Sequence, residues 1–221
     1  TRYHCVTGVQ TCALPIWYNP FLNYRLFMVP GILVTLVTMV GAYMCALNIV
    51  KEKEIGTIEQ INVSPIKKWQ FILGKLFPFW VIGNVVFSLG LFIVGRLVYG
   101  IVPLGSLWVV YSFLAIFLIA VLGIGLLIST YSETQQQAMS LAFFCVMIFM
   151  LMSGLFTSVD SMPEWAKVIA KANPVTYFIE VMRMVIIKGS GFSDVKFHFA
   201  MMFGFATLFN GWAILNYKKT N

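Results

Sequence analysis

Long runs without a charged residue constrain the fold of this chain more than any other feature. The first of them, residues 28–50, contains no Asp, Glu, Lys or Arg. As an α-helix it would be about 34 Å long, which is enough to cross the roughly 30 Å hydrocarbon core of a bilayer. Charges and turn residues separate further uncharged runs, which predict spans at residues 76–95, 107–129, 134–159 and 199–217. The sequence therefore predicts an all-α fold, a polytopic transmembrane helical bundle of about five spanning helices.

The composition agrees with a membrane protein and argues against other classes. Of the 221 residues, 60% are hydrophobic and only 10% are charged, and the mean hydropathy is +0.87. Soluble domains carry about 25% charged residues. The net charge of +7 reflects Lys and Arg at the membrane borders. No basic run with interleaved aromatic residues is present, so we expect no nucleic-acid partner.

Basic residues predict the orientation of the bundle. Lys67, Lys68 and Lys75 lie near the start of the second predicted span, and Lys218 and Lys219 follow the last one. Because cytoplasmic borders are enriched in Lys and Arg, both regions are expected in the cytoplasm. Five crossings are consistent with that arrangement.

The charged loop between the first two spans predicts a short amphipathic cytoplasmic helix. Its apolar residues recur at three-residue spacing, at Ile55, Ile58 and Ile61. Glu52, Glu54 and Glu59 would face anionic headgroups if this helix only lay on the membrane, where basic polar faces are usual. A protein partner explains the carboxylates better, and a lipid-bound helix stays the alternative.

The turn between the third and fourth spans carries two weaker signals. Ser132 and Gln135 have capping-box spacing, which predicts that a helix starts there. The glutamines of residues 135–137 are either polar padding at the interface or a second contact for a partner. In the preceding span, Gly123 and Gly125 would allow close packing against another helix.

A helical hairpin is predicted before the last span. Ser161 and Glu164 have capping-box spacing at the start of a helix over residues 162–172, and a second helix follows over residues 175–188, closed by Gly189. The second helix would be about 21 Å long, which is too short to cross a bilayer. We expect a re-entrant or interfacial hairpin that enters the membrane from the outside.

One polar strip runs along the second hairpin helix. It consists of Thr176, Glu180 and Arg183. Glu180 and Arg183 are three residues apart, so we expect their charges to neutralise each other. A structural pair and a role in substrate binding both stay open.

Absent motifs narrow the possible functions. The sequence contains no GxxxxGK[ST] phosphate loop, no HExxH and no GxSxG. The predicted spans contain no acidic group that could take up a driving proton, which disfavours an ion-coupled carrier. Such a protein would have to obtain energy through a contact, and the charged loop is the candidate.

Several segments resemble a known family in its own order. EKEIGTIEQINVSPI followed by GKLFPFW resembles the first cytoplasmic loop of ABC-2 type permeases, the membrane subunits of ATP-driven exporters. SGLFTSVDSMPEW, NPVTYFIEVMR and KGSG resemble the outer re-entrant region of that family, although many members have proline where Ser158 stands. The similarity covers residues 17–221.

The resemblance implies a function and a set of partners. It implies a drug- or antibiotic-exporter-like permease of a bacterial inner membrane, which forms the translocation path with a second permease copy, as a homo- or heterodimer. A separate ATPase subunit would hydrolyse ATP, and a periplasmic adaptor protein is a further candidate partner. The chain itself would have no catalytic residue, cofactor or metal. The substrate is not specified.

The resemblance also implies the functional residues. It assigns contact with the ATPase to a coupling helix in the first cytoplasmic loop, at Glu52, Glu54, Gly56, Thr57, Glu59 and Gln60. It places in the re-entrant hairpin Pro163, Trp165, Asn173, Pro174, Glu180 and Arg183.

One domain is expected, preceded by a segment that is not native to it. Residues 1–16 resemble translated adapter sequence, and residues 17–221 form the transmembrane domain. Family members have one more spanning helix and an extracytoplasmic domain before this region, so the chain is interpreted as a C-terminal part.

There are two alternative functions. One is a non-transport assembly or sensory subunit, and the other, with less support, is an ion-coupled carrier.

Overall fold

A computed structural model of the chain describes residues 24–56, 68–100, 104–156 and 162–216. Within these ranges it contains seven α-helices and no strand. The helices are α1 (Tyr24–Ile55), α2 (Lys68–Leu89), α3 (Leu107–Tyr131), α4 (Gln135–Met152), α5 (Glu164–Lys171), α6 (Pro174–Lys188) and α7 (Phe192–Asn216). Of these, α1, α2, α3, α4 and α7 are long and apolar enough to cross a membrane. The predicted all-α polytopic bundle is confirmed.

Helix α1 extends further into the charged loop than the uncharged run indicated. It continues through Ile55 because nothing between Val50 and Gly56 breaks a helix, and it ends where Gly56 adopts a φ of 80°. The first residues of the expected amphipathic coupling helix therefore continue the first span. The rest of that predicted helix lies outside the described residues.

Two other spans differ in length from the prediction. Helix α4 ends at Met152, before the predicted end at residue 159, because Ser153 closes the helix and Gly154 has a φ of 77°. Helix α7 begins at Phe192 instead of residue 199, with Asp194 in its first turn, where a carboxylate favours the helix N-terminus. The longer α7 brings charged residues and a histidine into a helix that was predicted to be uncharged.

The second span also runs past its predicted end. After Leu89, α2 continues as a π-helical segment, Gly90–Val98, which contains Arg96. The predicted boundary at residue 95 was therefore too early. Gly100 follows with a φ of 63°.

Helix α3 is the centre of the bundle. It is largely buried and packs against α1, α2, α4, α6 and α7, whereas α2, α4 and α7 leave most of their surface exposed, as expected for helices that face lipid. At Gly125, an added Cβ would lie 2.7 Å from the carbonyl oxygen of Ala42 and 2.9 Å from Cys45 Cβ in α1. This glycine therefore sets the approach of α1 and α3.

An aromatic cluster fixes α6 at one end of the bundle. The ring of Phe178 lies 4.6 Å from that of Phe117 and 5.5 Å from that of Phe113, both in α3, and 5.9 Å from that of Phe87 in α2. All four side chains are fully buried. The short helix is thus held among the spans at the end of the bundle opposite to Ile55.

The predicted capping box at Ser132 is wrong by two residues. Ser132 donates its hydroxyl to the carbonyl oxygen of Ile128 at 2.9 Å, so it closes α3. Thr134 is the N-cap of α4 and accepts from the amide of Gln137 at 3.3 Å. Gln137 Oε1 in turn accepts from the amide of Glu133 at 3.1 Å. Thr134 thus supplies the first bond of a capping box in place of Ser132, while the return bond from Gln137 goes to the residue before the N-cap.

Candidate functional site

The last turn of α1 forms a polar junction with two other regions of the chain. Glu52, Lys53 and Glu54 are consecutive, and because side chains on a helix point outward in different directions, each reaches a different neighbour. We call these three residues and their partners the cytoplasmic junction. The partners are Lys75, Ser132 and Gln135.

Glu52 binds the beginning of the second span. Its Oε1 accepts from Lys75 Nζ, and the two side chains are only 21% and 33% exposed. A carboxylate and an ammonium that are partly removed from solvent interact more strongly than an exposed pair. This pair joins α1 to α2.

Lys53 and Glu54 bind the turn between α3 and α4. Lys53 Nζ donates to the carbonyl oxygen of Ser132 at 2.9 Å. Glu54 Oε1 accepts from the backbone amide of Gln135 at 2.8 Å, and its Oε2 accepts from Gln135 Nε2. Gln135 is the first residue of α4, so the Glu54 carboxylate lies at the positive end of the helix dipole, which stabilises it.

The remaining predicted contact residues follow this junction. The Gly56 amide donates to the carbonyl oxygen of Lys53 at 3.3 Å, and among the residues that the structure describes no atom beyond its chain neighbours lies within 4 Å of the position that its Cβ would occupy. Thr57, Glu59 and Gln60 lie outside the described residues. Contact with an ATPase therefore stays a prediction for the whole set, and the structure shows partners within the chain for Glu52 and Glu54.

A shallow, open groove lies beside the junction on α4. Its volume is about 680 Å³, and it is lined by Thr134, Gln136, Gln137, Ser140, Leu141 and Phe144. Gln135 points instead to Glu54. The three consecutive glutamines thus differ, because the first is part of the junction and the other two line an accessible surface.

The predicted hairpin is present as α5 and α6. Pro163, and not Ser161, occupies the N-cap position of α5, where Trp165 is 65% exposed. Lys167 donates to Glu164 Oε1 at 2.9 Å, and this hydrogen bond is the main cause that lowers the pKa of the exposed Glu164 carboxyl. The amphipathic α5 buries only Ala166 and Ala170, which fits a helix that lies at an interface.

Asn173 and Pro174 form the turn between the two hairpin helices. Asn173 Oδ1 accepts from the amide of Val175 at 3.0 Å and so caps α6, while its Nδ2 donates to the carbonyl oxygen of Phe149 in α4 at 2.7 Å. Pro174 is the first helical residue, where its missing N–H has no consequence. At the other end, Gly189 closes α6 with a φ of 69°, as predicted.

Glu180 and Arg183 interact through their charges, as the sequence predicted, but their closest polar partners are other groups. Glu180 Oε2 lies 3.2 Å from His198 Nε2, because the early start of α7 brings that histidine beside α6. Arg183 donates from both terminal nitrogens to the carbonyl oxygen of Gly154, each at 3.3 Å. That carbonyl became available because α4 ends early, so each of the two side chains also has a hydrogen-bond partner on another helix or helix end.

The polar contacts reveal functional candidates that the sequence did not single out. Lys75 and His198 bind the predicted site residues Glu52 and Glu180, and Lys53 binds the turn between α3 and α4. All three are distant from their partners in sequence. Their positive charge was the only feature of the sequence that could have identified the two lysines as candidates. No group of three or more His, Cys, Asp or Glu that could hold a metal ion occurs in the part of the chain that the structure describes.

The chain was compared with known protein families and curated proteins. A family model described as an ABC-2 family transporter protein matches residues 7–215, which is almost the whole chain. The chain belongs to the ABC-2 transporter family. Together with the five apolar helices, this membership makes it a multi-pass membrane protein.

Curated relatives are permeases of Escherichia coli K12. The chain is 33% identical to the probable multidrug ABC transporter permease YbhR and 29% identical to the similar permease YbhS, over 81% and 79% of its own length. It is 25% identical to the inner membrane transport permease YhhJ over 92% of its length. These alignments cover 48%, 46% and 54% of the relatives. The chain thus spans about half the length of the curated relatives that it matches.

Proposed function

We propose that this chain belongs to the membrane-spanning region of a permease subunit of an ATP-driven exporter in a bacterial inner membrane. Its relatives in the ABC-2 family carry the names multidrug ABC transporter permease and inner membrane transport permease, which supports the proposal. A separate ATPase subunit would supply the energy. Two permease copies would enclose the path, and the cargo would be hydrophobic or amphipathic, in keeping with apolar spans.

The uninterrupted course of α1 is the observation that carries this proposal. The helix has 32 residues and is about 48 Å long, which exceeds the thickness of the hydrocarbon core. Its charged end therefore projects from the membrane as part of the same rigid element. A force applied just beyond Ile55 would move the span itself, as mechanical coupling to an ATPase requires.

The contact with the ATPase is proposed to begin at Gly56. Gly56 has no side chain that would hinder close approach, and Thr57, Glu59 and Gln60 supply hydroxyl, carboxylate and amide groups that could bind basic or polar groups of a partner. Glu52 and Glu54 were predicted in the same role. Since they bind Lys75 and Gln135, we propose that they support this contact from within the chain.

Cysteine crosslinking tests the proposal most directly. Thr57→Cys would be introduced into a full-length permease that contains this chain and lacks its native cysteines, and it would be coexpressed with the ATPase encoded beside it. We expect a crosslink between the two subunits whose yield changes on addition of ATP. Gly191→Cys, at an open position next to α7, is the matched control and should give no crosslink.

Two other outcomes would indicate different functions. A labelled, accessible cysteine at position 57 that never crosslinks would favour an assembly or sensory subunit. Transport that follows a proton gradient and ignores ATP would favour an ion-coupled carrier. Glu59→Lys gives an independent test, because it should separate ATP hydrolysis from export while the protein stays folded; unchanged coupling would remove Glu59 from the contact.

A further inference from the structure

We propose that α4 acts as a rod that links the cytoplasmic junction to the outer hairpin, with Glu54 and Gln135 as the positioning residues at one end and Arg183 at the other. This inference rests on the proposed function and goes beyond it. It identifies α4 as the helix that would carry a movement of the first cytoplasmic loop to the outer hairpin. It also connects two sets of predicted residues that are far apart in the sequence.

The N-terminus of α4 is completed by a residue of α1. The first amides of a helix have no partner within the helix, and side chains usually satisfy them. Thr134 accepts from the amide of Gln137, which leaves the amide of Gln135 to the Glu54 carboxylate at 2.8 Å. Glu54 also accepts from the Gln135 side chain, so both carboxylate oxygens hold the same residue. A displacement of the end of α1 would therefore be transmitted to the start of α4.

The C-terminus of α4 is completed by residues of the hairpin. Asn173 donates to the carbonyl oxygen of Phe149 at 2.7 Å, and the Arg183 guanidinium donates to that of Gly154 at 3.3 Å. An anion at the N-terminus and a cation at the C-terminus both complement the helix dipole. Each of these side chains comes from another element, so α4 is held by polar contacts at both ends.

The fully buried side chains of α4 are small. Its buried residues are Ala138, Ala142 and Val146, whereas large residues such as Phe143 and Phe144 are exposed. Small residues interdigitate little and oppose a sliding movement less than large buried ones do. The polar contacts at the two ends would therefore determine the displacement of α4 when the junction or the hairpin moves.

A fluorescence experiment tests this transmission without a known substrate. An environment-sensitive dye such as bimane would be attached at Val168→Cys, which is 68% exposed on α5, in the full-length permease without native cysteines and in complex with its ATPase. We expect a spectral change on addition of ATP and vanadate. Gln135→Glu places a second carboxylate against Glu54 and should reduce that change, because loss of a hydrogen bond to a charged group shifts the equilibrium between the two conformations about tenfold or more.

Charge exchange distinguishes transmission from simple stabilisation. Gln135→Glu combined with Glu54→Gln restores a carboxylate and an amide as partners, and we expect the dye response to return to within about twofold of the unmodified protein. Gln136→Glu adds the same charge on the adjacent, exposed groove residue and should leave the response unchanged. Arg183→Gln, which acts at the opposite end of α4, should also reduce the dye response.

The outcomes separate this inference from the proposed function. Equal dye responses in Gln135→Glu, Arg183→Gln and the unmodified protein, with the ATPase still bound, would overturn the rod while leaving the permease assignment intact. A missing response in the unmodified protein would also overturn the rod. The crosslink at position 57 would then decide separately whether an ATPase binds. Loss of the response in Gln135→Glu without recovery in the exchanged pair would indicate misfolding and would contradict the specific role of Glu54.

Discussion

Substitution of Gly125 by alanine should weaken the contact between the two most buried spans. The new Cβ would lie 2.7 Å from the carbonyl oxygen of Ala42 and 2.9 Å from Cys45 Cβ. A backbone carbonyl in the middle of a helix cannot move aside without moving the helix. The clash must therefore separate α1 from α3 or distort one of them.

The magnitude follows from two opposing effects. Overpacking of a well-packed interior costs about 1–3 kcal/mol. Alanine is a better helix former than glycine by up to about 1 kcal/mol, which offsets part of this loss. We expect Gly125→Ala to lower the free energy of unfolding by about 1–2 kcal/mol, which corresponds to a fall in Tm of about 2–8 °C for a chain of this size.

The assay is thermal unfolding of the purified protein in detergent, followed by fluorescence-detected size exclusion after heating. Gly204→Ala in α7 is the matched control, because no atom of another described element lies within 4 Å of the position of its new Cβ. That variant keeps the gain in helix propensity without the clash and should melt at or slightly above the original temperature. If Gly125→Ala melts as high as Gly204→Ala, the close approach at Gly125 does not limit the packing of α1 on α3.

Three further substitutions test the core and the hairpin with the same thermal assay. Phe178→Ala should lower the free energy of unfolding by about 3–5 kcal/mol because three buried rings surround it. Phe144→Ala, at an exposed position, should have little effect, and equal losses in the two variants would contradict the aromatic cluster. Gly189→Ala should cost about 1–2 kcal/mol because of its φ of 69°, and Gly191→Ala, where no positive φ occurs, should cost clearly less. Asn173→Ala should cost about 0.5–2 kcal/mol through the lost cap of α6, while Asn173→Asp should keep that cap; similar losses in both would instead identify the bond to Phe149 as the important one.

Several features of the fold could be read from local sequence. The uncharged run of residues 28–50 predicted the first span, and Pro174 with Gly189 marked the two ends of α6 almost to the residue. These features depend on the length of an apolar segment or on the backbone preference of one residue. The predicted limits were less accurate at α4 and α7, where Gly154 and Asp194 changed the ends of the helices.

The cytoplasmic junction could be predicted only in part. The sequence identified Glu52 and Glu54 as carboxylates at a membrane border where basic residues are usual, but it did not indicate their partners within the chain. Gln135 lies 81 residues from Glu54, and Lys75 lies 23 residues from Glu52. Such pairs depend on which helix ends meet in space, and spacing along one helix carries no information about that.

The sequence by itself determined the class of this protein, the five spans found among its described residues and the presence of a short hairpin, because the membrane imposes the same length and charge requirements on every crossing segment. Only the tertiary structure decided the partners of the charged side chains. A charge beside apolar helices binds whichever polar side chain or helix end the packing brings within reach. For that reason Glu180 binds His198, Arg183 binds the end of α4, and Glu54 binds its beginning.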